Sequence, residues 1–199
     1  LMAKNLNASR VRDSRIVVII ALFIILFTKP SLSDNSALHF ILDYTGYFFV
    51  AICVIGRVYC TAFLGGHKNA TLITYGPFSV CRNPLYAFSF IGATGIACIS
   101  NHLILMIAIP AIILMVYTSL IKREESFLKQ EFGKEFDAYC ARVPRLIPKL
   151  SLYEAPETIP MNPRFLLRAI QDGMWWFAAF PLIELIEHLQ DSGHLLTLF

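Results

Sequence analysis

The stretch LYAFSFIGATGIACISNHLILMIAIPAIILMVYTSLI, residues 85–121, determines how this chain folds. Two apolar runs, 85–99 and 103–121, flank the polar turn Ser100, Asn101 and His102. A membrane span needs roughly 17–25 mainly apolar residues, so each run, extended by its flanks, is long enough to cross a bilayer. The turn is so short that we expect a tight helical hairpin with its two far ends side by side.

The composition of the whole chain agrees with a membrane protein. Hydrophobic residues make up 56% of the 199 residues and charged residues 16%, and the mean hydropathy is +0.60. These values are too apolar for an ordinary soluble domain. We therefore predict a single all-α domain over residues 1–199, an integral membrane bundle of about five transmembrane helices with a cytoplasmic amphipathic helix. Residues 37–56 form its third clear span.

The two outer spans are less sharply defined by the sequence. Residues 16–27 form a short apolar run after three arginines, and we expect a first span there. A secretory signal with a cleavage-like segment at 31–33 is the alternative. Residues 165–189 lie in a C-terminal helix, predicted at 164–190, that carries charges as well as two tryptophans. It forms either a fifth span, which we expect, or a helix lying at the membrane interface.

Lysines and arginines are concentrated on one side of the predicted spans, and this sets the orientation. The opposite side carries only Lys29 and the turn around His102. We therefore expect a multi-pass protein whose N-terminus and active site face the cytoplasm. The net charge of +3 follows from this topology, so no nucleic-acid partner is predicted. The cytoplasmic cations are Arg10, Arg12, Arg15, Arg57, Lys68, Arg82, Lys122, Arg123, Lys129, Arg142, Arg145 and Lys149.

A polar segment and an acidic pair meet at the cytoplasmic mouth of the hairpin. The segment TLITYGPFSVCRNPLY spans residues 71–86, and the pair is Glu124 and Glu125. Because the hairpin is tight, residues 82–86 should lie next to residues 122–125. Residues 127–140 follow with the pattern of an amphipathic helix, which could cover the mouth.

These motifs, with FGKEFDAY at 132–139 and RVP at 142–144, resemble the isoprenylcysteine carboxyl methyltransferase and phospholipid methyltransferase superfamily. The resemblance covers a core of about 71–148. It implies that S-adenosylmethionine binds in a cytoplasm-facing pocket and that a lipophilic small molecule or membrane lipid enters from the bilayer to be methylated. The family's cofactor contacts fall on Leu72, Ile73, Phe78, Asn83, Pro84, Leu85, Tyr86, Glu124 and Glu125.

The residue types themselves also fit a sulfonium donor. Glu124 could accept hydrogen bonds from its ammonium group or ribose hydroxyls, Arg82 or Arg123 could bind its carboxylate, and Phe78 or Tyr86 could hold its purine. The alternatives are a solvated helix end for Glu124 and lipid-phosphate anchoring for the arginines.

The candidate catalytic residues are Glu125, Tyr86 and Arg123. An amine or hydroxyl acceptor would need a proton removed by Glu125, Tyr86 or a bound water, whereas a carboxylate acceptor would need no base. Leu120 stands where prenylcysteine enzymes have an arginine, and Asn83 stands where relatives usually have histidine. Because of Leu120, we expect the acceptor to be a lipid or other apolar molecule whose methylated group is not a prenylcysteine carboxylate, for instance a headgroup amine.

Other interpretations compete with this one. A membrane reductase of the sterol-reductase kind would use NADPH, and a non-catalytic membrane assembly subunit would use no cofactor. Glu184, Glu187 and His188 share a helix face, but a closed metal site needs further ligands, so no metal is predicted. The five cysteines indicate neither a disulfide nor a zinc framework. The small residues Ser89, Ala93 and Ala97 favour helix packing, or else leave room for a ligand.

Overall fold

The structure is a computed structural model that describes residues 36–65 and 71–193, together with residues 19, 22, 23 and 25–28. Residues 22–23 and 25–27 are helical, so the predicted first span at 16–27 is seen only in part. Several residues of the topology argument lie outside the described residues: Arg10, Arg12, Arg15, Lys29 and Lys68. The segment 31–33 lies outside them too.

The described part of the chain beyond residue 36 is built from helices alone. In chain order they are α1 (Ala37–Leu64), α2 (Pro77–Val80), α3 (Pro84–Ile99), α4 (Leu103–Arg142), a 3-10 turn (Leu150–Leu152) and α5 (Pro163–Asp191). No strand occurs among the described residues. The all-α prediction is confirmed, and the C-terminal helix lies within one residue of its predicted bounds.

Two helices, α1 and α4, are long and apolar enough to cross a membrane. Helix α3 is apolar but has 16 residues, and the 29-residue α5 does not reach the same standard of hydropathy. A bundle of about five spans therefore stays a prediction, as does the choice between span and interfacial helix for α5. The long apolar helices belong to a membrane protein.

Helices α3 and α4 form the predicted hairpin. Asn101, in the turn, has a positive φ of 49°, and its amide donates a 2.8 Å hydrogen bond to the Asp43 carboxylate of α1. Asp43 also pairs with His39 at 3.2 Å. Asp43 is thus part of the polar contacts that fix the turn against the start of α1.

The stripe of small residues packs α3 tightly against α1. A Cβ added to Gly46 would lie 2.5 Å from the carbonyl oxygen of Gly95, so neither helix could approach as closely with a larger residue there. Ser89, Ala93 and Ala97 are all buried. Packing accounts for Ala93 and Ala97, since close backbone approach is what such residues permit in lipid.

The amphipathic segment follows directly on α4 and contains a break at Gly133. Gly133 has a φ of 51° and a ψ of −120°, which are not helical, so Leu103–Arg142 is two helices joined at this residue. Beyond the break, the apolar face is buried at Phe136 and Tyr139, while the charged face is exposed. The buried face packs against Leu72. The cytoplasmic position of this helix stays a prediction.

Candidate functional site

A cavity of about 330 Å³ lies where the hairpin ends meet, away from the turn. This volume is in the range of small-molecule sites. All the predicted cofactor-binding residues except Glu125 line it. The full lining is Arg57, Leu64, Thr71, Leu72, Ile73, Phe78, Arg82, Asn83, Pro84, Leu85, Tyr86, Ser89, Tyr117, Glu124, Leu128 and Trp176.

Backbone hydrogen bonds hold the loop wall of this cavity in place. Two of these bonds join the loop to the segment after α4. Arg82 N donates to Pro144 O at 2.9 Å, and Lys149 N donates to Val80 O at 2.9 Å. The Tyr139 hydroxyl donates to Phe78 O at 2.6 Å. A loop tied to the rest of the molecule at these points presents its residues from fixed positions.

Glu124 and Tyr86 form the contact that the hairpin predicts. The Tyr86 hydroxyl donates a 2.9 Å hydrogen bond to Glu124 Oε2, and the Tyr86 ring packs edge-on against Tyr117 with a centroid distance of 5.1 Å. Both side chains are half-buried and line the cavity. Glu124 thus offers the cavity a carboxylate positioned by a neighbouring hydroxyl.

Glu125 lies behind the cavity wall rather than on it. It is 8% exposed and accepts two bonds from Arg145, at 3.0 and 2.7 Å, and one from Asn83 Nδ2 at 3.2 Å. Arg82 Nη2 lies 3.6 Å from Glu125 Oε1, the oxygen that also accepts from Asn83. Successive helix residues are about 100° apart, so Glu124 and Glu125 cannot face the same way.

Burial also affects the cysteine beside this network. Cys81 donates to Leu146 O at 3.2 Å and is almost wholly buried. Desolvation raises the pKa of the Cys81 thiol above its ordinary value of 9.0, although the Asn83 backbone and Arg82 act in the opposite direction. The thiol is therefore neutral and part of the packing. Arg82 in turn contacts Cys140 Sγ.

The remaining predicted residues lie away from the cavity. Arg123 and Lys122 are exposed on α4 and do not line it, and Leu120 is buried. On α5, Glu184 and His188 are exposed whereas Glu187 is buried, so these three do not converge on one point. His194 lies outside the described residues.

Seven lining residues were missed as site residues by the sequence analysis: Arg57, Leu64, Thr71, Ser89, Tyr117, Leu128 and Trp176. Arg57 Nη1 donates to Ser89 Oγ at 2.5 Å, and Ser89 Oγ donates to Leu85 O at 2.7 Å. The signal available for Arg57 was a cation two turns before the end of a 28-residue apolar helix. We counted it only as evidence of orientation.

Comparison with known proteins agrees with the motifs. Residues 36–135 match the family model for phospholipid methyltransferase, so the match starts well before residue 71. The cobalt-zinc-cadmium resistance protein CzcN of Cupriavidus metallidurans is 30% identical over 188 residues, covering 94% of this chain and 86% of that protein. The nickel-cobalt-cadmium resistance protein NccN of Alcaligenes xylosoxydans xylosoxydans is 29% identical, covering 96% and 89%.

A plant enzyme matches the central part of the chain. Protein-S-isoprenylcysteine O-methyltransferase B of Arabidopsis thaliana is 31% identical over 81 residues, which is 41% of this chain and 41% of that protein. No solved structure matches the chain. The family model and this shorter match show that the chain belongs to the phospholipid methyltransferase family, in the superfamily that includes the isoprenylcysteine methyltransferases.

Proposed function

We propose that this protein transfers a methyl group from S-adenosylmethionine to a lipophilic acceptor that reaches the cavity from the membrane. The observation that carries the proposal is the convergence of three segments on one cavity: the loop around Leu72, the start of α3 at Asn83, and Glu124 of α4. In a chain of this family, these are the segments expected to bind the donor.

The chemistry of the lining fits the donor. Glu124 can accept hydrogen bonds from an ammonium group or from ribose hydroxyls, and Arg82 can bind a carboxylate. Leu72, Ile73 and the Phe78 ring supply an apolar slot for a purine. When bound, S-adenosylmethionine supplies an electrophilic methyl carbon, so an acceptor lone pair forms the new bond as the carbon–sulfur bond breaks and S-adenosylhomocysteine leaves.

The two glutamates take different parts in this proposal. Glu125 is already committed to Arg145, Asn83 and Arg82, so we assign it the positioning of those residues rather than proton transfer. Glu124 with the Tyr86 hydroxyl is the pair on the cavity wall that can take a proton from an amine acceptor. A carboxylate acceptor needs no such base. In either case the main contribution of the cavity is alignment and exclusion of water.

Two other functions remain as alternatives, and one experiment separates all three. The names of the two long relatives speak of metal resistance, which suits a non-catalytic membrane subunit as well as an enzyme, and a reductase would bind NADPH. A ligand present at about 100 times its Kd stabilises a folded protein by about 2.7 kcal/mol. We expect S-adenosylhomocysteine to raise the Tm of the purified protein and NADPH to leave it unchanged. A Tm raised by NADPH, or a Tm raised by neither ligand, would overturn the proposal.

The proposed orientation places the cavity on the cytoplasmic side. We expect Lys134→Cys to react with an impermeant maleimide only when the cytoplasmic face is accessible, and Leu103→Cys, exposed beside the turn, to react from the other side. Wild-type protein measures the background from native cysteines. Labelling of both variants from one side of sealed vesicles would show that the two ends of α4 do not lie on opposite faces.

A further inference from the structure

The cavity has two ends with different residues. Its loop end is formed by Leu72, Phe78, Asn83 and Glu124. Ser89 lies five residues after Pro84 along α3, which is about 7.5 Å at 1.5 Å per residue. Tyr117 lies seven residues before Glu124, about 10 Å along α4.

Trp176 lies further in the same direction. A Cβ added to Gly92 would be 2.7 Å from Trp176 Cζ3, which places this ring nearly a turn beyond Ser89. We call Arg57, Ser89, Tyr117 and Trp176 the deep end of the cavity. Its four residues come from α1, α3, α4 and α5.

Arg57 carries the charge of the deep end. Among the described residues, no carboxylate lies within 4.0 Å of the Arg57 guanidinium. Within that part of the chain the guanidinium donates to Ser89, which leaves most of its five N–H donors for another partner. Arg82, by contrast, lies beside Glu125. An uncompensated cation among membrane helices is costly and marks a functional position.

We infer that Arg57 binds an anionic group of the acceptor, a phosphate or a carboxylate, and so determines which amphiphiles are methylated. This rests on the proposed function and adds the acceptor's recognition to it. A guanidinium binds either oxyanion through paired N–H bonds. Ser89 holds the guanidinium in place, and the Tyr117 and Trp176 rings provide apolar surface for the adjoining chain.

This inference changes the expectation drawn from Leu120. That expectation assumed that, without an arginine at 120, an anionic acceptor would have only Lys122 or Arg123 to bind, and both are exposed outside the cavity. Arg57 supplies a cation from another helix instead. A carboxylate acceptor is therefore as compatible with this cavity as a phospholipid whose phosphate is bound and whose amine is methylated.

The test uses Trp176 as a reporter of the deep end. Trp175, 79% exposed, is replaced by Phe, and fluorescence quenching is measured in neutral detergent with bromododecyl phosphate, bromododecanoate and the uncharged bromododecanol. We expect saturable quenching by at least one anion. In Arg57→Gln, the anion concentration at half-maximal quenching should rise about tenfold, which corresponds to the loss of about one charged hydrogen bond. The alcohol should not distinguish the two proteins. Whichever anion saturates at the lower concentration identifies the phosphate or the carboxylate as the preferred group.

Binding of S-adenosylhomocysteine to the same proteins separates the possible failures. We expect Arg57→Gln and the exposed control Lys134→Gln to keep the wild-type affinity within about twofold. Equal quenching midpoints for the anions in the wild type and in Arg57→Gln would overturn the inference. A tenfold loss of S-adenosylhomocysteine affinity in Arg57→Gln would also overturn it, because Arg57 would then bind the methyl donor. Failure of the wild-type protein to bind S-adenosylhomocysteine would instead overturn the proposed function.

Arg57→Lys covers the case in which Arg57→Gln does not fold. Lysine keeps the charge but not the paired donors. We therefore expect the ratio of the quenching midpoint of the anion to that of bromododecanol to rise two- to fivefold in Arg57→Lys. A ratio equal to that of the wild type would contradict the inference.

Discussion

The loop end and the deep end of the cavity both carry an arginine, but the protein treats the two charges differently. Arg82 at the loop end lies beside Glu125, which also binds Asn83 and Arg145. Arg57 at the deep end is held by Ser89 and has no carboxylate near it among the described residues. The charged groups of the loop end are thus paired with one another without a ligand. At the deep end, the Arg57 guanidinium can pair with the anionic group of a bound acceptor.

The two ends are also built by different means. The loop end depends on backbone hydrogen bonds between the loop and the segment after α4. The deep end depends on the packing of four helices that contribute one residue each: α1, α3, α4 and α5. Damage to the loop end should therefore alter stability and donor binding together, while changes at the deep end should alter acceptor binding alone.

The largest effect should come from removing the centre of the loop-end network. Glu125→Leu removes the buried carboxylate beside Arg82 and Arg145, and leaves Asn83 Nδ2 with the Arg145 carbonyl alone. Breaking a buried pair on one side costs about 3 kcal/mol or more. Thermal unfolding in detergent measures this, with Glu131→Gln on the exposed face as the matched control. A Glu125→Leu protein as stable as the control would show that the network does not hold the loop end together.

A smaller effect should follow from Glu124→Gln. This change keeps the shape and the contact with Tyr86 but removes the charge, which costs about 1.5–3 kcal/mol for a charged hydrogen bond. Affinity for S-adenosylhomocysteine should fall about tenfold to a hundredfold, as calorimetry can measure. An unaltered affinity in a folded protein would remove Glu124 from the donor site.

Two glycines with positive φ provide the next comparison. Gly76 has a φ of 61°, and a Cβ there would overlap the Phe63 ring, whereas Gly133 has a φ of 51° with no atom within 4 Å of such a Cβ. Gly76→Ala should lower the unfolding free energy by about 2–3 kcal/mol, from strain plus overpacking. Gly133→Ala should cost about 1 kcal/mol, from strain alone. Equal losses in denaturant unfolding would mean that the Phe63 contact does not fix the loop.

The smallest effect concerns pH at the loop end. Because burial raises the pKa of the Cys81 thiol in the folded protein, its stabilising contribution is fully present below the unfolded value of 9.0 and is lost as the pH rises through the folded value. One proton changes the unfolding free energy by at most about 1.4 kcal/mol per pH unit. Wild type should therefore lose more stability than Cys81→Ala above pH 9.0. Identical slopes for the two proteins would contradict this account of Cys81.

The hairpin and the meeting of its ends could be predicted because both follow from local features. A three-residue polar turn between apolar runs leaves one way to pack, and it brings Tyr86 to Glu124 at 2.9 Å. Helix geometry separates Glu124 from Glu125, but their identical side chains gave no sign of which one faces the cavity. That depends on the rotation of α4 against the segment that carries Arg145.

The deep end could not be predicted because it depends on the register of helices distant in sequence. Arg57 and Ser89 are in contact although they are 32 residues apart in sequence. Trp176 lies much later in the chain, in α5. The break at Gly133 was missed for another reason. The residues on either side of it continue the helical pattern, so periodicity alone shows the buried face of α4 but not whether the helix is one piece.

Photolabelling with the methyl donor tests the central claim, two ends with two ligands, most directly. Purified protein is irradiated with radiolabelled S-adenosylmethionine, with and without excess S-adenosylhomocysteine, and the labelled peptides are identified by mass spectrometry. The account predicts competable labelling of peptides from the loop end, those containing Phe78 or Tyr86. Competable labelling of the peptide containing Trp176, with none at the loop end, would contradict it.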